Sequence, residues 1–377
     1  MIIFILLFST FAIYFLQSKL YAKYWNYDLQ VFVEFPNTPM VEGETGMLKE
    51  VISNHKLLPL TILDVKFSCS KYITFINGEV ASISDRCYKH DVFSLLSYQK
   101  ITRSLPFQCV KRGYYEIEQV HLISHDLLLS KNFVSKQTQH TNLYVYPKPV
   151  DTTTISILFQ KIMGELISKR FLLEDPFEFS GVRDYTPSDP INKINWSASA
   201  RSANLMVNTN RSTTSQHVAI LLNLEHIGVL TYEQLQEESI RIAGSLCEML
   251  IKEGISVSLI TNGCDCFTKN PSFIPLGNGK STLQQILEHL ARIQLSLPMS
   301  SFSSLLENGQ YFNKDSNTYY ILISTLQNEE LIHSFTTLLQ KSSYGCWIVP
   351  KYSHIPQTIE TNNRYHVFPW EVTTNES

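Results

Sequence analysis

Val218–Glu225 reads VAILLNLE, an apolar run interrupted only by an amide and closed by a carboxylate. With hydrocarbon on both faces, it fits a parallel strand covered on each side rather than a strand with one wet face. Downstream the pattern alternates. Leu235, Ile242, Leu246 and Met249 or Leu250 recur at helical spacing, and Gly254 stops that helix. Ile255–Thr261 (ISVSLIT) predicts a second strand, Ser281–Leu295 a helix, Tyr319–Thr325 (YYILIST) a third strand and Asn328–Gln340 another helix. Tyr344–Pro350 (YGCWIVP) and Tyr365–Trp370 (YHVFPW) supply the last two strands. Such alternation predicts an open, doubly wound α/β sheet over residues 209–377. No G-x-G-x-x-G follows the first strand, so nothing supports a dinucleotide site. Gly277–Thr282 (GNGKST) imitates a phosphate loop, but Ile274 stands where that motif needs glycine. A helix start capped near Ser281 or Thr282 explains it instead.

Upstream, residues 175–208 read DPFEFSGVRDYTPSDPINKINWSASARSANLMVN. Pro187 and Pro190 punctuate a turn. Asp189 suits an N-cap and Pro190 the first helical position, where no N–H is needed. Ile191, Ile194, Ala198 and Arg201 would then share a helical face, with an extended exit at Leu205–Val207. Asp175, Glu178, Asp184 and Asp189 alternate with Arg170, Arg183, Lys193 and Arg201. Opposite charge at this density favours ion pairs that fix a turn over acid–base chemistry. An aromatic on such a helix, Trp196, is expected in the core, whereas Arg183 and Tyr185 are expected to face a partner or a neighbouring domain.

Gly181, Arg183, Tyr185, Asp189, Ile194, Trp196, Ala200 and Arg201 stand in one register of a pattern running G-x-R-x-Y, a Gly-Asp pair, I-D-W and A-R. In this the chain resembles a bacterial family known as domain of unknown function 58. Ser188, Asn192 and Asn195 stand where that family usually has glycine, arginine and aspartate. The resemblance implies a membrane-anchored protein with a membrane-proximal β-domain and a von Willebrand factor A-like domain, acting beside ATPases of the MoxR type. It also places a metal-ion-dependent adhesion site, D-x-S-x-S, after the first α/β strand. The matching positions are Asn223, Glu225 and Ile227. The leading carboxylate is an amide here and the last hydroxyl a hydrocarbon. Two weak donors make a poor cage for a hard divalent cation, so no metal and no cofactor are expected.

Short alternating runs fill the stretch from Asp28 to Pro149, among them LQVFVEF, TGMLKEVISN, LTILDVKFSC and GYYEIEQVHLIS. They predict a β-sandwich over residues 27–150. Lys111 and Arg112 fit a solvated hairpin turn, or a contact with anionic lipid. Residues 151–174 fit a connecting helix. Residues 1–21 fit a transmembrane anchor: Met1–Ser18 carries no charged side chain. A cleaved signal peptide would want basic residues before the apolar run and a small-x-small site after it. Lys19 and Lys23 follow the run instead, which places the body in the cytoplasm by the positive-inside rule. Tyr14, Tyr21, Tyr24 and Trp25 suit an interfacial belt.

The 377 residues carry a net charge of −3, and only 17% are charged. No general basic surface results, so nucleic acid is not an expected partner. The seven cysteines are scattered and match neither a disulfide framework nor zinc spacing. The eleven histidines contain no H-E-x-x-H pair. The expected architecture is therefore α+β and multidomain: a membrane helix, a β-sandwich, the 175–208 signature and a doubly wound α/β domain. The expected role is a non-enzymatic, membrane-anchored adaptor whose partners are a MoxR-type ATPase and other membrane proteins. The alternative is a metal-dependent hydrolase or ligand-binding domain using the acidic 175–189 cluster with Glu225.

Overall fold

The computed structural model describes residues 2–76, 80–83, 86–172, 179–187, 189–210, 217–225, 233–308, 318–340, 344–353, 356 and 358–372. The chain is α+β and divides into two units, Met1–Lys148 and Pro149–Ser377.

The first unit opens on α1 (Ile2–Tyr24), a helix long and apolar enough to cross a membrane. Most of its apolar side chains up to Leu16 are exposed. One face of its final turns is buried instead. Ser18, Tyr21 and, just beyond, Trp25 lie in the interior of the unit, and the Tyr21 hydroxyl donates to the Pro59 carbonyl at 2.6 Å. The expected aromatic belt is corrected at these two positions: Tyr21 and Trp25 find apolar neighbours in the β-domain core, and Tyr24 stays exposed.

The strands that follow are β1 (Leu29–Glu34), β2 (Met40–Val41), β3 (Thr45–Asn54), β4 (Leu60–Ser70), β5 (Ile73–Phe75), β6 (Val80–Ile83), β7 (Arg86–Leu95), β8 (Lys100–Cys109), β9 (Gly113–His125) and β10 (Asn132–Tyr146). They form two sheets, in the orders β1-β3-β8-β5 and β2-β10-β9-β4-β7-β6. Inward residues alternate with outward ones, as the two-residue period of a strand requires. Both inner faces feed one hydrophobic core, with Phe67 of one sheet 6.2 Å from Phe75 of the other. Charge lies within this sandwich. Asp91 accepts from Arg103 at 2.8 Å and pairs with the buried Lys89 at 3.3 Å. Glu50 is buried on the facing sheet, and neither of its carboxylate oxygens has a hydrogen-bond partner.

The second unit contains α2 (Thr152–Leu172), β11 (Phe179–Asp184), α3 (Trp196–Ser202), β12 (Met206–Asn210), β13 (His217–Asn223), α4 (Glu233–Lys252), β14 (Ser256–Cys264), β15 (Pro271–Gly277), α5 (Lys280–Arg292), α6 (Phe302–Glu307), β16 (Thr318–Ser324), α7 (Glu329–Leu339), β17 (Tyr344–Tyr352) and β18 (Tyr365–Val372). Its main sheet has the order β15-β14-β13-β16-β17-β18 and is parallel except for the β14–β15 pair. Both faces of β13 are covered. Val218, Ile220 and Leu222 pack in one core with Ile162 of α2, Leu246 of α4 and Leu290 of α5. Ala219 and Leu221 pack in another with Phe302 of α6 and Phe335 of α7. Helix α4 ends where Gly254 takes a positive φ of 78°, and Ile255 donates back to Leu250. Residues 151–174, expected as a connector, supply α2, whose Ile155, Leu158 and Ile162 are buried in the first of these cores.

Candidate functional site

Strands β14 and β16 flank β13; β13 leads through α4 to β14 on one side, whereas its neighbour β16 leads through α7 to β17 on the other. The carboxyl end of β13 is therefore the switch point at which open α/β sheets form their ligand crevices. Asn223 ends β13 and is buried. Its Nδ2 donates to Ser324 Oγ at 3.1 Å. Its Oδ1 accepts from the Glu225 amide and from Asn262 Nδ2, each at 2.9 Å. Asn262 in turn accepts from the Leu224 amide at 2.9 Å and donates to the Ser300 carbonyl at 3.1 Å. Three neighbouring strands are thus joined at their ends by amide and hydroxyl groups. The two lone pairs of Asn223 Oδ1 point at N–H donors, the reverse of what a cation ligand needs. Glu225 Oε2 accepts from the Phe302 amide at 3.1 Å, at the start of α6. Ile227 lies outside the described residues. Asn262 and Ser324 went unnoticed in the sequence, although each is a polar residue at or near the end of a buried strand.

The signature segment is held by backbone pairing and a network of side chains. Strand β11 pairs antiparallel with β12, with a register irregularity at Gly181, and Tyr185 donates to the Leu205 carbonyl at 2.8 Å. Arg183 grips Asp189 through both terminal nitrogens, at 2.7 and 2.6 Å. The Thr186 amide and hydroxyl also donate to Asp189, at 2.9 and 2.8 Å. The Arg183 and Thr186 hydrogen bonds hold the Asp189 carboxyl well below the usual carboxylate range. This occupation corrects the expected cap: Asp189 closes a turn, and a short 3-10 turn at Ile191–Lys193 follows in place of an α-helix. The helix begins later, as α3, capped by Asn195. Asn195 Oδ1 accepts from the Ala198 amide at 2.9 Å, and its Nδ2 donates to Asn208 at 2.6 Å.

Trp196 is a second correction. It is 66% exposed at the start of α3, whose buried residue is Ser199, and it is not core. Ile191 is likewise exposed, as is Arg201. The structure gathers Gly181, Arg183, Tyr185, Asp189, Trp196 and Arg201 into this one segment. Asp175, Glu178 and Ser188 lie outside the described residues.

A further polar cluster carries no motif in the sequence. Asp265 accepts from Arg292 Nε at 2.7 Å and from the Phe267 amide at 2.8 Å. His289 Nδ1 lies 3.7 Å from Asp265, and Ser272 Oγ is 2.7 Å from His289 Nε2 and 3.3 Å from Nδ1. The composition is that of a hydrolytic triad; the geometry is not. A hydroxyl this close to both ring nitrogens sits beside the ring rather than in line with the Nε2 lone pair. Burial pushes His289 down to about 4 against the pull of Asp265, so it is a neutral, enclosed imidazole. The cluster ties β15 and the loop after β14 to α5.

No curated protein matches the chain. Among solved structures it is similar in part to domains D2 and D3 of the major pilin SpaD from Corynebacterium diphtheriae. There the identity is 10% over 30% of this chain and 52% of that one, with a TM-score of 0.23. It is similar in part to the alpha-2-macroglobulin of Escherichia coli from domain MG7 to the C-terminus, at 23% identity over 32% of this chain and 17% of that one, TM-score 0.24. A non-cellulosomal cohesin from the archaeon Archaeoglobus fulgidus matches at 8% identity over 31% of this chain and 91% of that one, TM-score 0.23. The chain thus spans about half of the first of these proteins and a sixth of the second. At such scores the likeness assigns neither fold nor function. Residues 181–341, which hold most of the signature segment and most of the α/β sheet, match the family model described as protein of unknown function DUF58, and that match supports the family.

Proposed function

We propose that this protein is a membrane-anchored, non-enzymatic adaptor whose second unit is a doubly wound, von Willebrand factor A-like domain with a degenerate adhesion site. The observation that carries the proposal is Asn223. At the position where such a fold would hold a ligand, the amide is consumed by Ser324, Asn262 and the Glu225 N–H. Counting from β13 as the first strand, the sheet order 3-2-1-4-5-6 and the covering of both faces support the doubly wound reading. Lys19 and Lys23, after the apolar run, favour a cytoplasmic body.

The surface offered to partners is the signature segment. Arg183 and Asp189 brace its turn, and α3 displays Trp196, an amphipathic aromatic of the kind that dominates protein–protein contacts. The family resemblance names the partner: a MoxR-type ATPase, in the assembly of envelope or secreted components. Affinity purification of the full chain from detergent extract is expected to recover such an ATPase. Trp196→Ala is expected to reduce recovery by about tenfold or more, as truncating a buried aromatic anchor does. A wild-type chain that behaves as an isolated monomer without the ATPase refutes the proposal.

A further inference from the structure

We propose that the end of the β-domain from which α1 emerges is itself a lipid-binding surface, with Leu57, Leu96, Tyr98 and Leu127–Leu129 immersed beside the helix. The inference rests on reading α1 as a membrane span.

Strand register puts these residues together. Leu29 pairs with Asn54, Ser53 with Lys100, Leu60 with Leu95, and Leu63 with Ser124. The α1–β1 junction and the loops at 55–59, 96–99 and 126–131 therefore share one end of the sandwich. The loops are locked to each other and to the helix. Asn54 Nδ2 donates to the carbonyls of Leu58 and Leu96, both at 2.9 Å, and the Tyr98 amide donates to the Lys56 carbonyl at 3.2 Å. Gln17 of α1 donates to Asp126 at 3.2 Å, one helical turn before Tyr21 reaches Pro59.

No spacer separates helix from loops. Leu16 is an exposed apolar residue, Ser18 is already buried in the β-domain, and Leu20 is exposed again on the same turns. A bilayer around Leu16 therefore meets the loop end directly. Those loops present large apolar side chains, Leu57 at 76% exposed, Leu96 68%, Tyr98 67% and Leu128 60%, alongside the exposed His55, Ser97, Ser130 and Lys131.

Backbone conformation supplies an independent sign. Tyr98 and Leu129 both hold positive φ, 55° and 54°. Glycine or asparagine would occupy such positions with less strain, so large exposed apolar side chains there run against local preference. The basic pair Lys111–Arg112, considered above for lipid contact, follows β8 at the opposite end of the sandwich, beside the start of β3.

The test is the depth of single nitroxide labels on the full chain in phosphatidylcholine–phosphatidylglycerol vesicles. The background is Cys266→Ser, since the other cysteines are buried. Leu128→Cys and Leu57→Cys report two different loops, so misfolding of one variant leaves the other. Val110→Cys reports the far end, and Phe8→Cys the middle of α1. Collisions with oxygen are expected to exceed those with a water-soluble nickel chelate at Leu128, Leu57 and Phe8, with the order reversed at Val110. Phe8 deep while Leu128 and Leu57 are as nickel-accessible as Val110 overturns this proposal and leaves the anchor standing. Phe8 itself nickel-accessible overturns both.

Discussion

Glu50 shows what a single side chain can impose on the first unit. It lies on the inner face of β3, without a hydrogen-bond donor for either oxygen. Burial, reinforced by Asp91 and opposed by Arg103 and Lys89, pushes its carboxyl up to about 7 from an ordinary 4.5. The folded form therefore binds the proton more tightly than the unfolded chain. The associated stability is fully present below pH 4.5 and is lost as pH rises through 7. A displacement of this size corresponds to about 3 kcal/mol. Melting of the full chain in detergent between pH 5.5 and 8.5 is expected to show this decline, and Glu50→Gln to flatten it. Parallel curves for the two proteins rule the account out. None of this was legible in TGMLKEVISN, because alternation marks which residues face inward only when those residues are apolar.

At the scale of elements, legibility followed the purity of the pattern. Strands β13, β16 and β17 have apolar centres and were read close to their ends. RCYKHDVFSL, which is β7, was missed: its inward positions include Lys89 and Asp91, so burial alternates strictly while hydrophobicity does not. Strand β15 has no clear strand pattern in the sequence, because Pro271 and Pro275 interrupt it. It is an edge strand, where missing donors are tolerated. In the signature segment the residues were recognised but the cap was misplaced, because Asp189 had a stronger partner in Arg183 than any helix amide. Asn195 now carries the cap of α3, a helix too short to persist unaided. Asn195→Ala is expected to cost about 1 kcal/mol locally, so hydrogen exchange of the Ala198 amide should quicken about fivefold. Exchange there at the wild-type rate means that the cap is not what holds the helix.

The whole molecule sets a span-length apolar helix, a sandwich and an α/β sheet in one chain, and the candidate sites within it differ in what they leave open. At the sheet's switch point the polar groups answer one another, and in the signature segment Arg183 and Thr186 occupy Asp189. The surfaces left open are apolar: Trp196 and Ile191 on the second unit, and the leucine loops on the first. On the adaptor reading these surfaces offer contact area, whereas the alternative needs a reaction centre, and divalent metal discriminates between the two. The adaptor reading predicts no binding heat when magnesium, manganese or calcium is titrated into the full chain, since Asn223 Oδ1 already accepts two N–H groups and one oxygen of Glu225 accepts the Phe302 amide. A stoichiometric heat that disappears in both Glu225→Gln and Asp189→Ala would install the metal-dependent alternative in its place. The Asp189 variant matters because Arg183 and Thr186 already occupy that carboxylate, so an ion held there has to displace them.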